Sequence, residues 1–258
     1  MRSNRVRELW ASNAVVIGGW LSIGNSYSAE IVGCSGVDCV TIDLQHGMID
    51  VQDMIGMLQA ISATPAIPFV RVPSCDPPLL MKALDAGAYG VICPMIETVK
   101  QAQLFVESTR YPPQGSRSLG PGRGLLYGGS DYFRHADSTI IRLAMIESAA
   151  GLATVEEICD VDGLDGIFIG PSDLSIALGH GIPSDELTDP KLSVSIERCR
   201  VAANKRGRHA GIFCASGAIA ARQAIHGFDF IVPNSDANLL KLSLAAEVRA
   251  ARQRPERA

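Results

Sequence analysis

This 258-residue chain lacks several features, and each absence closes a class of function. No apolar run is long enough to span a bilayer. The polar, amphipathic start, "MRSNRVRELW", has no apolar segment of the signal-peptide kind. Basic runs are missing too, and a formal net charge of -4 leaves no electrostatic footprint for nucleic acid or a membrane surface. The 7 cysteines form no CxxC pair and follow no regular spacing. Most, such as Cys39, Cys93, Cys159 and Cys214, fall in apolar stretches. They read as reduced core thiols of a cytoplasmic protein, not as zinc ligands or disulfides. Lysine is confined to helical stretches or their edges (Lys82, Lys100, Lys191, Lys205, Lys241), which leaves none on an inner strand to form a Schiff base.

What is present is a large apolar fraction, 47% hydrophobic against 19% charged, enough for one large core. Short β-branched runs alternate with helical patterns. The runs are 15–23, 38–42, 68–72, 90–93, 141–146, 166–169, 210–214 and 229–232. They are apolar at consecutive positions, as strands covered on both faces are. Between them, "VQDMIGMLQAI" places Val51, Ile55 and Leu58 on one predicted helix face. "DPPLLMKALDAG" opens on an aspartate cap and prolines and stops at Gly87. Eight strands alternating with helices predict a single (β/α)8 TIM barrel over residues 1–258. A doubly wound open sheet is the alternative, and no strand-to-helix turn carries its GxGxxG. The segment Ser116–Ser138, "SRSLGPGRGLLYGGSDYFRHADS", is too long for an idle connection and reads as a loop shaping the site.

In such a barrel, chemistry collects where strands end. Strand one ends near Trp20 and Asn25, and strand two in Asp43, Gln45 and His46. Strand three carries Arg71 in "PFVRVP", strand five ends in Glu147, strand six reaches Asp173 in "IGPSDLS", and strand eight ends in Asn234. Glu147 and Asp173, on neighbouring strand ends, suit a hard divalent cation such as Mg²⁺ or Mn²⁺. Their plain alternative is helix capping. Arg71 sits in an apolar strand, where a guanidinium needs an anionic partner, either a substrate group or a structural carboxylate. His46 suits proton transfer near neutral pH, with Asp43 three positions earlier to orient it. A lone histidine is more often structural, but its company on the same rim favours a base. The other histidines read as structural: His135 in the loop, His180 and His209 flanking elements, and His226 at a helix end.

Five stretches carry a resemblance over nearly the whole chain: "DCVTIDLQHG", "PFVRVP", "LLMKALDAGAYGVICPMIET", "LAMIES" and "DGIFIGPSDLSIALG". Together and in this order they resemble the HpcH/HpaI family of metal-dependent (class II) pyruvate aldolases. "DLQH" and "SRSLGPGRG" are similar to the branch using hydroxypyruvate or pyruvate as donor. The resemblance implies reversible cleavage of 4-hydroxy-2-oxoacids to pyruvate or hydroxypyruvate and an aldehyde, through a metal-stabilised enolate. It implies a divalent cation (Mg²⁺, Mn²⁺ or Co²⁺) on Glu147 and Asp173, and backbone amides around Ser172 and Asp173 for the donor carboxylate. Arg71 resembles the arginine that stabilises the enolate and the aldehyde oxygen, and His46 the general base, acting through a water. Asp43 resembles its supporting carboxylate, and Asp85 one supplied to the histidine of a neighbouring subunit. Trp20 and Gln45 are expected to touch substrate. A hexamer, a trimer of dimers with the C-terminal helix swapped, is implied as well. Two departures bear on donor and acceptor preference: a well-known family version has glutamate where Gln45 stands and glutamine where Met145 stands.

Two other functions compete. A CoA-ester lyase of the citrate-lyase-like type would need a basic cluster for the CoA phosphates, and none is visible. A non-catalytic 2-oxoacid-binding protein would need the anion clamp but not the base.

Overall fold

Each apolar run becomes a strand, and the strands close on one another in chain order. The computed structural model describes residues 1–183, 187 and 189–253. The strands are β1 (Val16–Leu21), β2 (Cys39–Asp43), β3 (Ile67–Arg71), β4 (Gly90–Cys93), β5 (Ile141–Ile146), β6 (Gly166–Ile169), β7 (His209–Phe213) and β8 (Phe230–Val232). All pair in parallel, and β8 closes on β1 through Val16 opposite Phe230 and Ile17 opposite Ile231. The closure gives the (β/α)8 barrel and excludes the open sheet. The intervening helices are α1 (Arg5–Ala11), α2 (Ser26–Gly33), α3 (Val51–Ser62), α4 (Pro77–Asp85), α5 (Val99–Thr109), α6 (Gly122–Gly128), α7 (Tyr132–Thr139), α8 (Ala149–Ala153), α9 (Val155–Cys159), α10 (Pro171–Ala177), α11 (Pro190–Lys205), α12 (Gly217–Ile225) and α13 (Asp236–Arg252). No helix among the described residues is long and apolar enough to cross a membrane.

The barrel is filled by three phenylalanines, each set against a glycine. Phe230 meets Phe69 and Phe168 edge to face, with ring centroids 5.8 and 5.7 Å apart. A Cβ at Gly90 would lie 2.3 Å from the Phe69 ring, one at Gly211 2.6 Å from Phe168, and one at Gly18 2.7 Å from Phe230. Large and small residues on facing strands thus fill the interior without voids. Trp20 stacks on Phe168 at 5.6 Å and caps this packing from the C-terminal side.

Two expectations are corrected. The buried face of α3 is Met54, Met57, Leu58 and Ile61, whereas Val51 is exposed and Ile55 only half-buried. Val51 is the first residue after the Asp50 cap, where the chain has only just entered the helix, so the inward stripe starts one turn later. The segment Ser116–Ser138 does not shape the cavity of its own chain. It follows α5 and precedes β5, so it lies at the N-terminal end of the barrel, and it holds α6 and most of α7. His135 accordingly lies in a helix, 3.6 Å from Asp131. The 7 thiols are free, and burial pushes Cys159, Cys199 and Cys214 up to about 12, as expected of inert core thiols.

Candidate active site

The C-terminal strand ends surround a cavity of about 300 Å³ lined by Trp20, Asp43, His46, Arg71, Met145, Ser172 and Asp173, together with Ser22, Phe168, Gly170, Pro171, Phe213 and Ser235. Six of the residues singled out from sequence therefore meet there: Trp20, Asp43, His46, Arg71, Ser172 and Asp173. They come from β1, β2 and the turn after it, β3 and the first turn of α10, far apart in the chain and adjacent only once the barrel closes.

Asp43 and Arg71 form the centre. Strand register places them directly opposite each other on β2 and β3. Arg71 donates from Nε to Asp43 Oδ1 at 2.8 Å and from Nη2 to Oδ2 at 2.5 Å, a bidentate pair with both side chains buried. Trp20 donates its indole N–H to Oδ2 at 3.2 Å and lies under the guanidinium, 4.9 Å from ring centre to Cζ. Burial alone would push the Asp43 carboxyl up; the Arg71 pair, the His46 amide and the Trp20 indole outweigh it and hold the carboxyl below its usual range. Among the described residues Arg71 Nη1 reaches only the Met145 sulfur, at 3.7 Å. That weak acceptor leaves the third arm of the fork open to the cavity.

The relation of Asp43 to His46 differs from expectation. Asp43 Oδ1 accepts from the backbone amides of Gln45 and His46, at 3.0 and 3.2 Å. It thus caps the turn that ends β2, as short polar side chains do, and places His46 through its main chain. The imidazole is exposed and has no side-chain partner among the described residues. The two carboxylate oxygens already accept from Arg71 Nε and Nη2, the Gln45 and His46 amides and the Trp20 indole, and none of these contacts reaches the ring. Gln45, expected at the substrate, does not line the cavity, and its Oε1 is buried without a partner. Asp85 closes α4, which runs away from the rim after β3, and so lies at the far end of the barrel from its own chain's His46.

Glu147 shows the chemistry of an unfilled role. Its Oε1 accepts the Met95 amide at 2.9 Å, while Oε2 is buried with no hydrogen-bond partner among the described residues. Met95 holds a left-handed φ of 53°, uncommon for a side chain of this size, and the turn it makes aims its N–H at Glu147. Burial pushes the Glu147 carboxyl up; the Met95 amide and Arg71 oppose this, while the charges of Asp173 and Asp43 add to it. A Cβ on Gly170 would sit 2.7 Å from Oε2, so a side chain there would push the Glu147 carboxylate aside. A divalent cation between Glu147 and Asp173 fits this donor set. It would neutralise the orphaned oxygen and offset the two carboxylates' repulsion. Among the described residues no three His, Cys, Asp or Glu side chains form a ready-made cage. A cation there would take its other oxygens from water or substrate. The first-turn amides of Ser172 and Asp173 have no intrahelical acceptor and lie at the same wall.

Sequence reasoning missed Ser22, Phe168, Phe213 and Ser235, and the residue behind them, Asp236. The Asp236 carboxylate accepts from Ser22 N at 2.8 Å, Ser22 Oγ at 3.2 Å, Ile23 N at 3.3 Å and Ser28 Oγ at 3.2 Å. It ties the end of β1 to the start of α13. The available signal was its position, four residues after the last apolar residue of β8.

The HpcH/HpaI aldolase/citrate lyase family matches residues 17–229. The chain is 42% identical to a hydroxypyruvate/pyruvate aldolase of Rhizorhabdus wittichii, over 94% of this chain and 96% of that one. It is 35% identical to a 5-keto-4-deoxy-D-glucarate aldolase of Klebsiella pneumoniae, over 92% of this chain and 93% of that one. Among solved structures it is similar to an HpcH/HpaI aldolase/citrate lyase family protein of Burkholderia cenocepacia, with a TM-score of 0.91 and 32% identity over 97% of this chain and 100% of that one.

Proposed function

Because the chain belongs to the HpcH/HpaI aldolase/citrate lyase family and is a carbon–carbon lyase of the aldolase type, we propose that it reversibly cleaves 4-hydroxy-2-oxoacids to pyruvate, or hydroxypyruvate, and an aldehyde. The observation that carries this reading is the buried, unpartnered Glu147 oxygen facing the β6–α10 turn, beside a cavity that also holds Arg71 and His46. Glu147 and Asp173 would hold a divalent cation, Mg²⁺, Mn²⁺ or Co²⁺. When bound, it supplies Lewis-acid polarisation of the 2-oxoacid carbonyl.

The chain's own residues do the rest. The Ser172 and Asp173 amides receive the donor carboxylate. Arg71, held in place by Asp43 and Trp20, turns its free Nη1 edge to the oxygen on which charge develops as the carbon–carbon bond breaks. A preorganised donor of this kind is worth on the order of a few kcal/mol. His46 takes the proton of the 4-hydroxyl through a water, a contribution of roughly 10²–10⁴-fold for a placed base. Trp20, Phe168 and Phe213 form the dry wall.

A second copy of the chain would complete the site, its Asp85 reaching His46. His46 lies exposed two residues from Met48, which is 83% exposed, and an exposed imidazole suits an anionic partner in an interface. Outward-facing Leu239, Leu240, Leu242 and Leu244 on α13 support the swapped C-terminal helix and the hexamer.

The test uses protein stripped with EDTA. Adding Mg²⁺ or Mn²⁺ back should restore pyruvate release from a panel of 4-hydroxy-2-oxoacids, followed with lactate dehydrogenase. His46→Ala should lose cleavage and keep metal binding. The reading is abandoned if the metal restores neither cleavage nor proton exchange at pyruvate.

A further inference from the structure

The segment Ser116–Ser138 lines no part of its own chain's cavity, yet it builds a polar arrangement of its own around Arg117. Arg117 is 1% exposed. Its Nη2 donates to Asp85 Oδ1 at 2.9 Å and its Nη1 to the Tyr132 hydroxyl at 3.1 Å. The guanidinium plane lies 4.5 Å from the centre of the Tyr111 ring and 5.5 Å from that of Tyr132, both rings buried. The glycines of α6 serve this cage: a Cβ on Gly128 would lie 2.7 Å from the Tyr132 ring and one on Gly124 3.1 Å from it. The Gly-rich, aromatic composition of the segment is thus explained by Arg117 rather than by a mobile loop.

The charge partner is unusual. Asp85 is the last residue of α4, where the helix dipole disfavours a carboxylate. Its side chain is 26% exposed although Arg117's is 0% exposed. One oxygen is anchored in the cage, and the other lies on the side of Gly120. An ordinary surface pair leaves both members loose. Here the guanidinium is immobilised by packing and two rings, so the core sets the carboxylate's position. The surrounding surface carries exposed leucines, Leu119 at 66% and Leu126 at 83%. A fixed anion in a segment with exposed leucines suits an exposed imidazole such as His46, whose chain neighbour Met48 is also exposed.

We propose that Arg117 is a positioning residue: held between Tyr111 and Tyr132, it fixes the Asp85 carboxylate for delivery to His46 of a second copy. The inference rests on the reading above that Asp85 completes a neighbouring site. It adds that this carboxylate works only when gripped from within its own chain. The Tyr132 hydroxyl, which takes Arg117 Nη1, is part of the grip.

A double-mutant cycle tests it on the metal-loaded enzyme, with Asp85→Asn, Arg117→Met and the pair combined. Arg117→Met should lower kcat about tenfold, the usual scale for losing a group that orients another, with KM for the 2-oxoacid within about twofold. Its pH–rate profile should move in the same limb as that of Asp85→Asn, and the double variant should be no slower than Asp85→Asn alone. Arg117→Lys, which keeps the charge and loses the fork, should recover part of the loss. Multiplicative losses in the double variant, or wild-type kcat in Arg117→Met while Asp85→Asn is impaired, overturn the proposal and leave the Asp85 reading standing. Full turnover in Asp85→Asn removes both. If Arg117→Met does not fold, Tyr132→Phe takes its place in the cycle under the same criteria, because it removes the hydroxyl and keeps the ring.

Discussion

Two arginines lie buried in the strands of this barrel, and they do opposite things. Arg71 ends β3; Arg142 is the second residue of β5. Arg142 spends its donors on the framework: Nε on Thr109 Oγ1 at 2.8 Å, Nη1 on the carbonyls of Asp137 and Ile140 at 3.1 Å each, and Nη2 on the Thr109 carbonyl at 3.2 Å. Among the described residues the carboxylate in ion-pair range of its guanidinium is Asp137, at 3.8 Å, and burial pulls the guanidinium down to about 10. Arg71 is paired by a carboxylate on two arms and keeps the third for the cavity. A buried arginine whose donors end on framework carbonyls and a hydroxyl is a staple for the N-terminal end. One with a free arm over a cavity serves the chemistry. Position along a parallel strand separates the two, because only the C-terminal ends face the loops that carry function.

The sharpest way to break this comparison is to exchange the effects. Arg71→Lys should cut kcat/KM by roughly 10²–10³-fold, since an ammonium cannot keep the Asp43 fork and also reach the substrate. Its melting temperature should move far less. Arg142→Met should do the reverse, losing about 3 kcal/mol or more in urea unfolding by leaving buried carbonyls unpaired, with kcat/KM per folded molecule unchanged. If Arg142→Met is as slow as Arg71→Lys while still folded, the division between staple and working residue is wrong.

A smaller effect concerns Glu147. Its carboxyl is raised in the fold, so the stability linked to it is fully present below the unfolded value, about 4.3, and is lost as pH rises through the folded value. Metal-free wild type should therefore lose thermal stability relative to Glu147→Gln as pH rises above about 4. Mg²⁺ at about a hundred times its Kd should return ~2.7 kcal/mol to the wild type. Asp173→Ala should lose that response together with its bound metal. An unchanged metal stoichiometry in Asp173→Ala would remove the assignment.

The smallest effect belongs to Asp43. Its carboxyl is held low, so its contribution is present above the unfolded value of about 3.9 and disappears as pH falls through the lower folded value. The acid limb of thermal stability should accordingly be shallower in Asp43→Asn than in wild type.

Much of this was legible beforehand because it is local. Consecutive apolar residues mark doubly covered parallel strands, and the polar residues just after them mark the rim, so Trp20, His46, Arg71, Glu147 and Asp173 could be named from position alone. Arg142 sits in an equally apolar run, "IRLAMI", yet it was passed over, because nothing local tells which carbonyls will surround a guanidinium. The Ser116–Ser138 segment was misplaced for a related reason. Its length was informative, but whether a long connection lies above or below a barrel depends on which element it follows.

By itself, then, the sequence determined the alternation of elements, hence the closed barrel, and the kinds of group at its C-terminal rim. Periodicity and strand ends are properties of neighbouring residues. Only the tertiary structure decided that Asp43 pairs with Arg71 rather than with the His46 ring, that Gly170 brings the β6–α10 turn against an orphaned Glu147 oxygen, and that Arg117 grips Asp85 at the opposite end. Those choices depend on strand register and on contacts between residues far apart in the chain. They are set by the one packing that leaves few buried charges and donors unpaired.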